Sequence, residues 1–322
     1  MPQTDPIPPA SLYAAAYGRY AIGHFNVANA EQILGVFNGA VDAQAPVILA
    51  FSRAAWAYLG NDLLLAMTAA ARSEFPQAVV CVHHDHGTEE TCNRAIETGG
   101  YDSVMIDASH LPFQENLAIT RRVADRAHAA GISVEAELGM LAGVEDDLSV
   151  REDQALLTDP DQVAEFVART GVDSLAVAVG TSHGAYKFNG ASGLRLDRLA
   201  EIRQAVPGFP LVLHGASNVD PSEVDRINAA GGALAPGTQG VDEDQLREAV
   251  RYGVAKVNFG TDGRLVWTRV HREFFQDHPE RFDFTEPGGR YIRELAEMVA
   301  HKCQVLGSAG RLDEVRAAEA SE

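Results

Sequence analysis

Short apolar, β-branched runs recur along the chain, each ending in polar or glycine residues and each followed by a stretch with helical periodicity. Eight are legible: YAIGHFN to Asn26, PVILAFS to Ser52, AVVCVHHD to Asp85, SVMID to Asp107, SVEAE to Glu137, SLAVAVG to Gly180, PLVLH to His214 and VAKVN to Asn258. Helical stretches such as NLAITRRVADRAHAAG and PDQVAEFVARTG lie between them, the second opened by Asp159 as N-cap with Pro160 in the first turn. Eight strands, each followed by helix, predict an α/β fold, a closed parallel (β/α)8 TIM barrel. Two additions depart from the minimal barrel: a Gly-rich insertion, NAAGGALAPGTQGVDED, after strand seven, and a helical C-terminal tail from about Pro279. No internal repeat and no boundary interrupts the pattern, so residues 1–322 are expected to form a single domain.

Charge narrows the partners. With 26 Lys and Arg against 45 Asp and Glu, the net charge is −19, which argues against a nucleic-acid or anionic-membrane surface. An anionic small molecule stays open wherever a few local cations or a metal reverse the field. Cys81, Cys92 and Cys303 are odd in number and form no CxxC pair, so neither a disulfide framework nor a thiolate metal site is expected, and a reducing, cytoplasmic setting is the simplest reading. The N-terminal MPQTDPIPPASLY has no basic-then-apolar signal pattern, and no apolar run approaches the roughly 18 residues that span a bilayer.

The strand ends carry the chemistry. Asn26, Ser52, Asp85, Asp107, Glu137, His183, His214 and Asn258 fall at or just past the C-terminal ends of the predicted strands, the face on which barrel enzymes build their sites. In HHDHG, alternation turns His83 and Asp85 into the barrel and His84 toward the helical layer, with His86 in the loop beyond. His86, His183 and His214 come from three different loops, and three imidazoles with an open position form the pattern of a catalytic divalent metal such as Zn²⁺. Asp107 and Glu137 make either a second, carboxylate-rich position or outer partners that orient the imidazoles. Gly184, Gly215 and Ser217 lie in short strand-to-helix loops, and Asn258 and Thr261 open the last barrel helix. Backbone N–H groups of such turns bind phosphate.

The ordered motifs HHDHG, YDSVMIDASHLPFQEN, SVEAELG, GVEDD, LTDP, GVDSLAVAVGTSHGAYKF, LVLHGAS and GVAKVNFGTD resemble those of the class II, metal-dependent ketose-bisphosphate aldolases of the fructose and tagatose type. The resemblance runs from about residue 12 to LGSAGR near 311. It implies His86, His183 and His214 as ligands of a divalent ion (Zn²⁺, or Co²⁺, Mn²⁺ or Fe²⁺), with Asp107 and Glu137 at an alternative, buried metal position. It implies Asp85 as the acid/base group and Glu145, in the mobile LAGVEDD loop, as the residue that moves the second proton. Gly184, Lys187, Gly215, Ser217, Asn258 and Thr261 match the part that holds the dihydroxyacetone phosphate half, sometimes with a monovalent cation nearby. A phosphorylated sugar is the implied substrate, and a homodimer or homotetramer the implied assembly.

Departures from the family pattern concern the far end of the substrate. Thr285, in DFTEPGGRY, stands where many fructose-type members carry an Arg suited to the distal phosphate; a separate departure, bearing on the monovalent cation, is Gly260, which stands where fructose-type members usually carry a carboxylate and tagatose-type members tolerate a small residue. The family's Ser is kept as Ser52 but is followed by Arg53, and Arg290 lies five residues beyond Thr285. Arg suits tetrahedral anions, so either Arg53 or Arg290 takes over the 6-phosphate or the aldehyde half carries a different group. His84 is expected to be structural. His24, His110, His128, His271, His278 and His301 are expected at the surface or in caps, and Trp56 and Trp267 in packing. The rival from another class is a barrel metallohydrolase, which commonly carries HxH on its first strand, whereas GHFNV has one His.

Overall fold

The computed structural model describes residues 7–145, 148–150, 156–183, 193–235 and 240–319, with backbone alone for 142–145, 148–150, 183, 318 and 319. Its strands are β1 (Ile22–Asn26), β2 (Val47–Ser52), β3 (Val80–Gly87), β4 (Ser103–Ile106), β5 (Ser133–Leu138), β6 (Ala142–Glu145), β7 (Leu148–Val150), β8 (Ser174–Val177), β9 (Ser182–His183), β10 (Leu211–Leu213) and β11 (Val254–Phe259). The helices before the midpoint are α1 (Pro9–Ala16), α2 (Ala30–Ala43), α3 (Arg53–Leu59), α4 (Asn61–Glu74), α5 (Glu89–Thr98) and α6 (Phe113–Ala129). Those after it are α7 (Pro160–Thr170), α8 (Leu196–Ala205), α9 (Pro221–Ala229), α10 (Glu243–Ala249), α11 (Thr261–Asp277), α12 (Thr285–Leu306) and α13 (Leu312–Glu319).

Strands β1, β2, β3, β4, β5, β8, β10 and β11 close in that order into one parallel barrel, β11 returning to β1. They are the eight apolar runs of the sequence. Because both faces of each strand are covered, β2 and β3 are buried throughout, which is why they read as continuous apolar segments. Register aligns polar ends on one rim, with Ser52 level with Asp85. Phe37, Phe51, Phe166 and Phe259 fill the layer between strands and helices. Leu12, Tyr13 and Ala16 of α1 pack with Ile22, Ile48, Cys81 and Val315, so α1 and α13 plug the opposite end of the barrel. All three cysteines are buried and free. No helix among the described residues is long and apolar enough to cross a membrane.

Local signals hold where a cap is built. Asp159 accepts from the Asp161 N–H and Pro160 opens α7, as LTDP predicts. One expectation is overturned. LAGVEDD reads as loop, yet Ala142–Glu145 is strand β6, antiparallel to β7 and parallel to β9. Gly and acidic residues mask the β-forming Val144, Leu148 and Val150, which lie on either side of Asp146 and Asp147 in the sequence. This small sheet brings β6 alongside β9, with Gly143 level with His183.

Candidate active site

The site begins with a distortion in β3. Its pairing with β4 shifts register between His84 and Gly87, and His86 takes a left-handed φ of 46°. A β-bulge re-aims a side chain, and for a residue other than glycine this conformation costs about 1–3 kcal/mol, which the surroundings must hold in place. Gly87 permits the bulge, since a Cβ there would meet Cys92 Sγ at 2.5 Å and the His84 ring at 2.8 Å.

So aimed, His86 is fixed from both sides. Its Nδ1 is 2.9 Å from Asp107 Oδ2, and Asp107 Oδ1 accepts from the Ser109 N–H and hydroxyl at 3.1 and 2.7 Å. Burial would raise the Asp107 carboxyl, but the hydrogen bonds from His86 and Ser109 hold it well below the usual carboxylate range. His214, just beyond β10, presents Nε2 to Glu135 Oε1 at 2.9 Å, and Glu135 Oε2 accepts from the Lys256 ammonium at 2.6 Å. Burial would raise Glu135, yet Lys256 first and then His214 bring it down to about 2. Burial also lowers the His214 imidazole, against the opposing pull of Glu135.

These partners fix tautomers. A carboxylate on His86 Nδ1 and another on His214 Nε2 place the proton of each ring on its far nitrogen. The near nitrogens, His86 Nε2 and His214 Nδ1, then turn lone pairs toward one point from 2.8 Å apart. Two facing acceptors repel, and a cation between them removes the repulsion. Asp85 stands within 4.8 Å of both ligand atoms, and Asp107 and Glu137 form a second such group with His86. Four buried carboxylates, Asp85, Asp107, Glu135 and Glu137, face one buried ammonium, so the residues present fit a divalent cation.

Asp85 is fully buried. Its Oδ2 accepts from Asn26 Nδ2 at 2.7 Å, while Oδ1 has no hydrogen-bond partner among the described residues. Asn26 is thus placed to orient Asp85. Asn258 Nδ2 lies 3.2 Å from His214 Nε2. Ser52 caps α3 through the Ala55 N–H, and Arg53 beside it donates from Nε to the His86 carbonyl at 3.0 Å. Gly215 has φ 59° and lies so close to β9 that a Cβ would meet the Ser182 carbonyl oxygen at 2.5 Å. Ser217 is buried, and Thr261 is the first residue of α11.

His183 ends β9 and Glu145 ends β6. Their side chains lie outside the described residues, as do Gly184 and Lys187 altogether. Arg290 is not free for a phosphate: it donates to Glu294 Oε1 at 2.6 Å and Glu273 Oε2 at 3.0 Å. His24 is not a surface residue. It is wholly buried, with Nε2 3.6 Å from Asp85 Oδ2. His84 is structural, bonded to the Phe51 carbonyl and Thr91 hydroxyl at 3.1 and 2.9 Å and stacked on Trp56, its pKa lowered by burial to about 3.

A parallel barrel whose rim gathers tautomer-fixed imidazoles and carboxylates defines a barrel enzyme with a cation-binding centre. Comparison with known proteins takes this further. The family model described as "Fructose-bisphosphate aldolase class-II" matches residues 10–311. The fructose-bisphosphate aldolase of Giardia intestinalis is 43% identical over 307 residues, covering 94% of this chain and 93% of its own. That of Thermus caldophilus is 42% identical over 293 residues, covering 91% and 94%. Among solved structures, the YdjI aldolase of Escherichia coli K12 superposes with a TM-score of 0.76 at 31% identity, over 94% of this chain and 98% of that one. The chain belongs to the class II fructose-bisphosphate aldolase family. Members are metal-dependent lyases that act on phosphorylated sugars.

Proposed function

We propose that this chain reversibly cleaves a ketose 1,6-bisphosphate of the fructose or tagatose type between C3 and C4, giving dihydroxyacetone phosphate and an aldehyde such as glyceraldehyde 3-phosphate. The observation that carries the reading is the 2.8 Å approach of His86 Nε2 to His214 Nδ1, each ring backed by a carboxylate on its other nitrogen. His183, at the end of β9, is the third ligand in this reading, and Asp107 and Glu137 offer the alternative position. Imidazole donors suit Zn²⁺ or Co²⁺. When bound, the ion polarises the C2 carbonyl and stabilises the negative charge left as the bond breaks.

The remaining steps belong to side chains. Asp85, turned by Asn26, takes the C4 hydroxyl proton through the oxygen that has no other described partner. Glu145 delivers or removes the proton at C3, and the hairpin supports this role by setting β6 next to β9. Gly184, Lys187, Gly215, Ser217, Asn258 and Thr261 hold the 1-phosphate, in loops after the later strands where barrels bind phosphate. Arg53, anchored beside His86, reads the distal phosphate, since Arg290 is held by two glutamates. The chain has three lysines, Lys187, Lys256 and Lys302. Lys256 is paired with Glu135 and Lys302 with Glu243, so neither is placed as a Schiff-base nucleophile.

The experiment is a panel of ketose 1-phosphates and 1,6-bisphosphates with dihydroxyacetone phosphate release as the readout. Release from a 1,6-bisphosphate supports the reading, and equal release from 1-phosphates would remove the distal phosphate from it.

A further inference from the structure

Beneath the rim the barrel carries a second polar layer. His24 precedes Asn26 by two residues and His83 precedes Asp85 by two, so strand alternation turns both imidazoles into the interior. Both are fully buried, and their rings meet edge-on with centroids 5.4 Å apart. Asp85 closes the group: its Oδ2 is 3.6 Å from His24 Nε2 and its Oδ1 is 3.9 Å from His83 Nε2. One donor atom from each of the three residues lies within 4.8 Å of the others.

These separations are too long for hydrogen bonds. They match donors arranged around one ion, because ligand atoms each about 2.0–2.2 Å from a metal stand roughly 3–4.4 Å apart. His83 is set for such a role: its Nδ1 is 2.6 Å from Ser103 Oγ, which turns Nε2 toward Asp85. That Nε2 and Asp85 Oδ1 are buried with no hydrogen-bond partner among the described residues, and buried polar atoms are otherwise satisfied. Lys256, the ammonium of the same layer, is paired with Glu135 and so opposes a second cation less than a bare charge would.

We propose that His24, His83 and Asp85 form a second divalent-cation site below the first, taking an ion that accepts imidazole and carboxylate donors, such as Co²⁺, Ni²⁺ or Zn²⁺. The two positions share Asp85, which also stands with His86 and His214 in the upper group, so an ion held below occupies the carboxylate that the proposed function uses as acid/base, and filling the lower site suppresses turnover rather than supporting it.

The test is a Co²⁺ titration of the chelated full chain by equilibrium dialysis, with wild type, His24→Ala and His214→Ala compared so that weak binding by surface imidazoles cancels. The site predicts one ion fewer per chain in His24→Ala than in wild type. It also predicts that His214→Ala, which loses the upper ion, keeps the lower one. Because a buried substitution can unfold the barrel, the same question is put to wild-type crystals soaked in Co²⁺, whose anomalous density should include a peak between the His24 and His83 rings. Equal stoichiometry in folded wild type and His24→Ala, with anomalous density only beside His86 and His214, would overturn the proposal. Loss of the His86–His214 peak with the lower peak kept would instead count against the proposed function and leave this site standing.

Discussion

His86 Nε2 and His214 Nδ1 stand 2.8 Å apart although 128 residues separate them in the chain. Each ring is backed by a carboxylate, Asp107 behind His86 and Glu135 behind His214. His86→Ala or His214→Ala should therefore abolish tight binding of a divalent ion at the rim, read as metal per chain after dialysis. Asp107→Asn should keep the ligands and weaken binding by about 10–100-fold, the usual cost of losing an outer partner. Unchanged metal content in the folded alanine variants would break the link between these rings and the ion.

Glu135 gives a pH signature. Its folded value, about 2, lies below the ordinary 4.5, so ionised Glu135 stabilises the fold above about pH 4.5, and that contribution is lost as pH falls toward 2. Glu135→Gln should remove this part of the acid sensitivity. Leaving Lys256 buried without its partner should cost about 3–5 kcal/mol at neutral pH. Urea unfolding at pH 7 and pH 3 measures both, and parallel pH dependence in the two proteins would contradict the pairing.

The barrel and its rim were legible because closed parallel strands are apolar runs with polar ends. Asn26, Ser52, Asp85, Asp107, Glu137, His214 and Asn258 all lie at or just past the barrel strand ends. The layer beneath was missed. His24, Glu135 and Lys256 each sit two residues before a rim residue, Asn26, Glu137 and Asn258, and period-two alternation carried to the next inward position would have found them. The pairing of β6 with β7 is hidden in the sequence because its β-formers are separated by Gly and carboxylates. The left-handed turn at His86 and the capture of Arg290 by Glu273 and Glu294 depend on tertiary contacts, for which one sequence carries no local signal.

Asp85 separates proton transfer from metal binding at the rim. Asp85→Ala should lower kcat by about 10² or more while the ion at His86 and His214 is retained. Asn26→Ala, which removes the bond orienting Asp85, should lower kcat less and leave the same ion in place. Steady-state kinetics beside metal analysis decides this, and wild-type kcat in Asp85→Ala would withdraw its role.

For Arg53 the expected loss is in binding. Arg53→Ala should raise KM for a cleaved 1,6-bisphosphate at least about tenfold, the scale of one charge-assisted hydrogen bond of roughly 1.5–3 kcal/mol. KM for a ketose 1-phosphate should change little. Equal rises for both would point to the Arg53 bond on the His86 carbonyl as its main contribution.

The tail is tied to the barrel through a close helix pair. A Cβ on Gly39 of α2 would meet the Ala296 carbonyl oxygen and Val299 Cβ of α12, both at 2.6 Å. Gly39→Ala should push the helices apart and cost about 1–3 kcal/mol by urea unfolding. An unchanged midpoint would contradict that packing.

The most direct measurement of the central claim is dihydroxyacetone phosphate release from fructose and tagatose 1,6-bisphosphates by chelator-treated protein, before and after Zn²⁺ or Co²⁺ is returned. The account predicts negligible release from the stripped protein and recovery on adding either ion, with His214→Ala failing to recover. Full release by metal-free protein would contradict it.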